Sequence, residues 1–183
     1  IFPLLLKIKG DILLQQANWD DAGVFFAAML HIQPFGWARI GQVRCLLQKG
    51  NEEQAFTELE QMLKRQETRL FALDCLSDLE FRQKHYQQAQ QHILAAADIA
   101  PRNLLRQQKL LQLSRLNHDY EIQYRAARDM LKFARNSIYE HPDLYLNLAR
   151  ASIDYALSSE DSDQQTRLSR QASMSLNTVQ RQF

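Results

Sequence analysis

The chain has 183 residues, 45% of them apolar and 23% charged, with a formal net charge of +1. That length can build one sizeable core or a run of small repeats, and the near-zero net charge excludes a chain-wide pull toward nucleic acid or acidic membranes. Five glycines and four prolines leave little punctuation, which with the abundance of Leu, Ala, Gln, Arg and Glu favours long helices over short strands.

The first predicted unit runs from Lys9 to Pro34. A helix through Gly10, Asp11, Ile12 and Leu13 meets a tight turn at Ala17-Asn18-Trp19. A second helix carries Ala22, Phe26 and Met29 on one face, and Pro34 stops it. Gly10 and Ala22 are the small residues that let the two helices approach. The second unit repeats the turn as Gly50-Asn51-Glu52-Glu53-Gln54-Ala55, followed by Leu59 and Met62. Its first helix starts near Trp37. Gly41 stands two residues too far from Ala55 to match the first unit, so the register of that helix stays open.

The third unit has Leu73 and Leu76 on one face, a turn at Gln83-Lys84-His85-Tyr86, then Ala89, Ile93, Ala96, Ala97 and Pro101. Ala22, Ala55 and Ala89 recur at a regular step, and Pro34 and Pro101 are separated by two such steps. The fourth unit is degenerate. Leu104, Leu110, Leu111 and Leu113 form its first helix and Asn117-His118-Asp119-Tyr120 its turn, but Gln123 occupies the expected small position and Ala126 and Ala127 come one turn later. That second helix is expected to shift or tilt. After His141-Pro142, with Asp143 as the expected cap, a helix carries Leu144, Leu146, Leu148, Ala149, Ile153 and Leu157. A polar break at 158–163 precedes a last helix with Leu168, Ala172, Leu176 and Val179.

A helix-turn-helix unit of about 34 residues is the tetratricopeptide repeat period. The predicted fold class is therefore all-α: a tetratricopeptide-repeat-like right-handed superhelix of antiparallel helix pairs, about ten helices in all. Residues 1–138 are read as four pairs and residues 139–183 as a closing pair, a fifth degenerate repeat or a cap.

Three stretches carry a further resemblance: Pro34-Phe35-Gly36-Trp37-Ala38-Arg39-Ile40-Gly41, Gly50-Asn51-Glu52-Glu53-Gln54-Ala55, and Ala100-Pro101-Arg102-Asn103-Leu104-Leu105-Arg106-Gln107. They are similar to the C-terminal repeat region of bacterial response regulators, whose N-terminal receiver domain is phosphorylated. The resemblance spans the chain roughly from Ile1 to Glu140 and implies a scaffold or output role in a phosphorelay. The chain begins at Ile1 inside an apolar run and reads as a piece of a longer protein.

Little points to catalysis. His31, His85, His92, His118 and His141 are scattered, with no i, i+4 metal spacing. Asp20-Asp21 and Glu52-Glu53 open second helices, where acids complement the positive helix end. No phosphate loop, nucleophile elbow or catalytic triad order is visible, so no enzyme activity and no cofactor are expected. Cys45 and Cys75 are too few for a disulfide framework and read as small buried hydrophobes, which fits a reduced, cytoplasmic setting. No apolar run reaches membrane-spanning length.

Charge is uneven. Residues 51–80 hold eight acids against three bases, and residues 102–135 hold eight bases against three acids. These read as solvated helix faces or as two contact surfaces. Few aromatics interleave the basic stretch, which argues against nucleic acid as a partner.

In a stacked array the first helices line a concave wall. The repeat register places Lys7, Asp11 and Leu14 there from the first unit and Trp37, Ile40, Arg44 and Leu47 from the second. The third unit adds Phe71, Asp74, Asp78, Phe81 and Arg82, and the fourth Gln108, Gln112 and Arg115. Aromatic anchors mixed with charges fit a protein or peptide partner. Some chaperone-type repeat domains clamp a C-terminal carboxylate here. Lys7 matches one clamp position, but Asp11 replaces the Asn and Gly41 offers no side chain, so that ligand is disfavoured. The last apolar helix also makes a homodimer an expectation. A stand-alone adaptor or co-chaperone for envelope, secretion or pilus assembly is the alternative reading, and a nucleic-acid-binding regulator a third.

Overall fold

The computed structural model describes residues 2–182. Among these the secondary structure consists of ten α-helices and no strand: α1 (Phe2–Gln15), α2 (Trp19–Ile32), α3 (Gly36–Gln48), α4 (Glu52–Leu63), α5 (Gln66–Arg82), α6 (Tyr86–Ile99), α7 (Leu104–Leu116), α8 (Tyr120–Ala134), α9 (Pro142–Ser158) and α10 (Ser162–Gln182). The chain divides into two compact units, Ile1–Leu79 and Glu80–Phe183, with the boundary inside α5.

Short polar turns make the hairpins. The residue that closes each of the first four turns has a left-handed backbone: Ala17 (φ 54°), Gly50 (φ 75°), Lys84 (φ 64°) and His118 (φ 56°). These four recur at the same step as the small alanines, so the period of the sequence is also a period of backbone conformation. Only Gly50 adopts this conformation without a Cβ penalty. Each is followed by a polar residue that precedes the next helix, and two of these cap it through their side chains. Asn18 Oδ1 accepts from the Asp21 amide at 3.4 Å and Asp119 Oδ1 from the Ile122 amide at 3.2 Å.

In the first unit two apolar clusters follow one another. Ala22, Phe26, Met29, Ala38 and Cys45 form one. Val43, Ala55, Leu59, Met62, Ala72, Leu76 and Leu79 form the next. Phe26 lies between two glycines on different helices. A Cβ on Gly10 would come within 2.7 Å of Phe26 Cε1, and one on Gly41 within 2.3 Å of Phe26 Cζ. This settles the open register of α3. Gly41 serves the phenyl ring of the preceding hairpin, while Val43 shares a cluster with Ala55 of its own.

In the second unit α6 to α10 pack each on the next. Ile93, Ala96, Ala97, Leu110, Leu113, Ala126, Ala127, Leu148, Leu168 and Ala172 are buried. Gln123, in the expected small position of the fourth hairpin, is also buried. Its Nε2 donates to Asp154 Oδ2 at 2.9 Å, so α8 accommodates an amide there by bonding it to α9.

Three expectations near the C-terminus need correction. The cap of α9 is His141, whose Nδ1 accepts from the Asp143 amide at 3.3 Å, rather than Asp143 itself. Pro142 fits the first helical position, where no N–H is needed, and this puts the cap one residue earlier. Leu146, Ile153 and Leu157 are exposed, and α9 instead buries Tyr145, Ala151, Ser152 and Ala156 beside Leu144, Leu148 and Ala149. In α10 the buried stripe is Leu168, Ala172 and Ser175, with Leu176 exposed, because positions i, i+4 and i+7 share a face and i+8 begins to leave it.

Candidate partner-binding faces

Two cavities lie between successive first helices, one in each unit. In the first unit, Asp11, Leu14 and Gln15 of α1 meet Arg44, Leu47 and Gln48 of α3 around a cavity of about 510 Å³, with Trp19 of α2 completing the wall. Asp11 and Arg44 are exposed and of opposite charge, and Leu14 and Leu47 give a half-buried apolar floor. The repeat register named Asp11, Leu14, Arg44 and Leu47. Gln15 and Gln48 were missed although each stands four residues beyond a named one, on the same helix face.

The other named residues of this unit lie differently. Lys7 is exposed one turn before Asp11 on α1. Trp37 does not line the cavity. It is half-buried, stacked on Phe35 at 5.4 Å and edge-on to Phe26 at 6.2 Å between ring centroids. Phe71 packs on the second apolar cluster, and the Arg44 guanidinium lies over its ring at 5.7 Å. Asp74 is half-buried and Asp78 exposed on the same helix, α5.

In the second unit, Phe81 is half-buried against the Tyr86 ring at 5.6 Å, and Arg82 is exposed. Gln108, Gln112 and Arg115 of α7 line a cavity of about 360 Å³ with Leu111, Leu116 and Asn147. Arg115 Nη2 donates to Asn147 Oδ1 on α9 at 3.0 Å. Burial, and then the nearby Arg150, pull the Arg115 guanidinium below its ordinary range, while Asp154 works in the opposite direction. Asn147 was missed because the degenerate fifth pair offered no register to project.

A third cavity, of about 280 Å³, sits against an amide cluster on α6 and the α7–α8 turn. Gln90 Nε2 donates to Asp119 Oδ2 at 2.6 Å, and Asn117 Nδ2 donates to Tyr86 O at 2.9 Å. These groups satisfy one another, which is what buried amides need for stability.

The charged stretches do not form uniform faces. Glu80 is buried, with Oε2 2.7 Å from His92 Nδ1, and Glu58 pairs with Arg39 at 3.5 Å. In the basic stretch Arg125 pairs with Asp98, Arg128 with Asp129 at 3.3 Å, and Arg115 points to Asn147. Cys45 is buried, which pushes its thiol up, and Cys75 is half-buried. Among the described residues no three His, Cys, Asp or Glu side chains gather as metal ligands would, and no helix is long and apolar enough to cross a membrane.

Helix hairpins of this length, closed at this period, define a tetratricopeptide-like all-α fold. Solved structures share it. MamA from Desulfovibrio magneticus RS-1, residues 41 to the end, is 13% identical, with 97% of this chain and 95% of that one covered at a TM-score of 0.61. MamA AMB-1 is 11% identical over 98% of this chain and 90% of that one, at a TM-score of 0.64. A further MamA crystal structure is 13% identical over 98% and 95%, at 0.63. At such identities the likeness shows the fold alone. No family model matches the chain, and no curated protein sequence matches it.

Proposed function

We propose that this chain is a non-catalytic protein-interaction module that binds a partner polypeptide through the faces of its first helices. The observation that carries this reading is the position of the two cavities. Each opens between consecutive first helices, and each mixes apolar wall with charged or amide side chains. Such a surface suits a peptide or an amphipathic helix, for which apolar anchors give affinity and polar neighbours fix register. In this reading residues 1–138 supply four repeat pairs and residues 139–183 close the array. The similarity of residues 34–41, 50–55 and 100–107 to the repeat region of receiver-domain response regulators supports an output or scaffold role in a bacterial, cytoplasmic phosphorelay.

The test is affinity capture with the wild type beside a folded Asp11→Lys/Arg44→Glu variant. These two residues are exposed, so reversing them leaves the core intact. A partner held by the wild type and lost by the variant supports the first-helix reading. A partner held equally by both moves the site to another face. The regulator part is tested by the complete gene, which should encode about 120–150 residues of alternating strand and helix pattern before Ile1. Its absence would remove the phosphorelay and leave the interaction module.

A further inference from the structure

We propose that the cavity between α7 and α9 receives an acidic side chain, Asp or Glu, of a partner polypeptide, with Arg115 as its anchor and the amides of Asn147 and Gln112 as flanking donors. This rests on the interaction-module reading and names the chemistry that one of its sites selects.

A guanidinium carries five N–H donors and no acceptor. Arg115 is half-buried, yet among the described residues it makes one hydrogen bond, from Nη2 to Asn147 Oδ1 at 3.0 Å, and its buried Nε has no partner. A cation drawn partly out of water, with a buried donor left unpaired, lacks part of what normally compensates such burial. The charges around it do not supply that. Arg150 adds a second positive charge close by and, among the described residues, makes no salt bridge of its own. Asp154 is the nearby acid, one carboxylate against the two guanidinium groups. The site is therefore short of negative charge.

The amides complete the pattern. Because Arg115 only donates, the Asn147 oxygen must face it, and the Asn147 Nδ2 is left to find an acceptor elsewhere. Gln108 and Gln112 are exposed on the same rim. Leu111 and Leu116 form an apolar wall beside them. A carboxylate meets the donors, and the methylene stem of Asp or Glu lies along the leucines. A chain terminus would bring the carboxylate without the stem.

The probes are a short acetylated and amidated peptide of alternating Leu and Glu, its Leu/Gln counterpart, and the Leu/Gln peptide with a free C-terminal carboxylate. Binding is followed by NMR on the amide resonances of the full chain, with the Arg115 Nε–Hε and Asn147 side-chain signals as reporters. The Leu/Glu peptide should shift those signals and bind about tenfold more tightly than the capped Leu/Gln peptide, a difference of ~1.4 kcal/mol. The preference should vanish in Arg115→Met, and Arg115→Glu should prefer a Leu/Lys peptide instead. Thermal melts show whether each variant is folded. Equal affinity for the Glu and Gln peptides overturns the proposal. So does a Glu preference that survives in folded Arg115→Met and Arg115→Glu, or a preference confined to the free C-terminal carboxylate. If both capped peptides bind alike with shifts on α1 and α3, the interaction-module reading stands and this inference falls alone.

Discussion

Gly41 of α3 and Phe26 of α2 are matched so closely that a Cβ on Gly41 would lie 2.3 Å from Phe26 Cζ. Real carbon atoms do not approach so near, so Gly41→Ala must displace a ring that is itself 1% exposed. The cost should be about 1–3 kcal/mol, the range for overpacking a filled core. Gly23 is the control. A Cβ there meets nothing nearer than Lys49 Nζ at 3.7 Å, so Gly23→Ala should stabilise by about 0.5–1 kcal/mol through helix propensity. Urea melts of the two variants should move in opposite directions.

The left-handed turn residues give a second pair of opposite signs. Lys84 holds φ 64° with a side chain, and Gly50 holds φ 75° without one. Lys84→Gly should stabilise, by up to ~1 kcal/mol, because relief of the left-handed strain exceeds the added flexibility of the unfolded chain. Gly50→Ala should destabilise by about 1 kcal/mol even though a Cβ there touches nothing within 4 Å. Equal melting of Gly50→Ala and wild type would show that the turn relaxes at no cost.

Glu80 and His92 test a buried polar pair. Glu80 is 5% exposed, and its Oε2 lies 2.7 Å from the ring nitrogen of His92. His92→Ala removes that partner and strands a buried carboxyl group, costing about 1–3 kcal/mol. Replacing both with apolar residues, as Glu80→Leu/His92→Leu, should recover most of the loss. A double variant as unstable as His92→Ala would sink this account.

The connection into α9 should respond to pH. Tyr145 Oη donates to Glu140 Oε1, which raises the phenol and lowers the carboxyl, with the Asn136 amide helping on the Glu140 side. A raised phenol contributes stability that is complete below the ordinary tyrosine range and is lost as pH climbs through the higher folded value. A lowered carboxylate contributes above the ordinary glutamate range and loses that contribution as pH falls through its folded value. Amide protection across 135–145, taken relative to the intrinsic exchange rate at each pH, should therefore fall at both extremes. Tyr145→Phe should remove the alkaline limb and weaken the acid one. An unchanged alkaline limb in that variant would place the titration elsewhere.

The fold was legible because its signals are local. Ala22, Ala55 and Ala89 sit where paired helices touch, polar turns stand between them, and both follow from a period that the chain repeats within itself. The turns were legible from their polar residues, but their left-handed backbone was not, since Ala17, Lys84 and His118 adopt it despite a Cβ. Asp11 with Leu14, and Gln108 with Gln112 and Arg115, could be placed because each set shares one helix face.

Other features needed contacts between hairpins. Gly41 looked misplaced against Ala55 because its partner is Phe26, on the preceding hairpin, and no spacing within one repeat reveals a contact between two. Trp37 shares the predicted face but is half-buried against Phe35 and Phe26. Gln123 broke the small-residue pattern until Asp154 supplied its partner. The helices and their pairing could be read from the order of residues, since they depend on neighbours one turn or one repeat away. Which side chains share a cavity could not, because one residue of register turns a helix side chain by about 100° and only packed neighbours fix that angle.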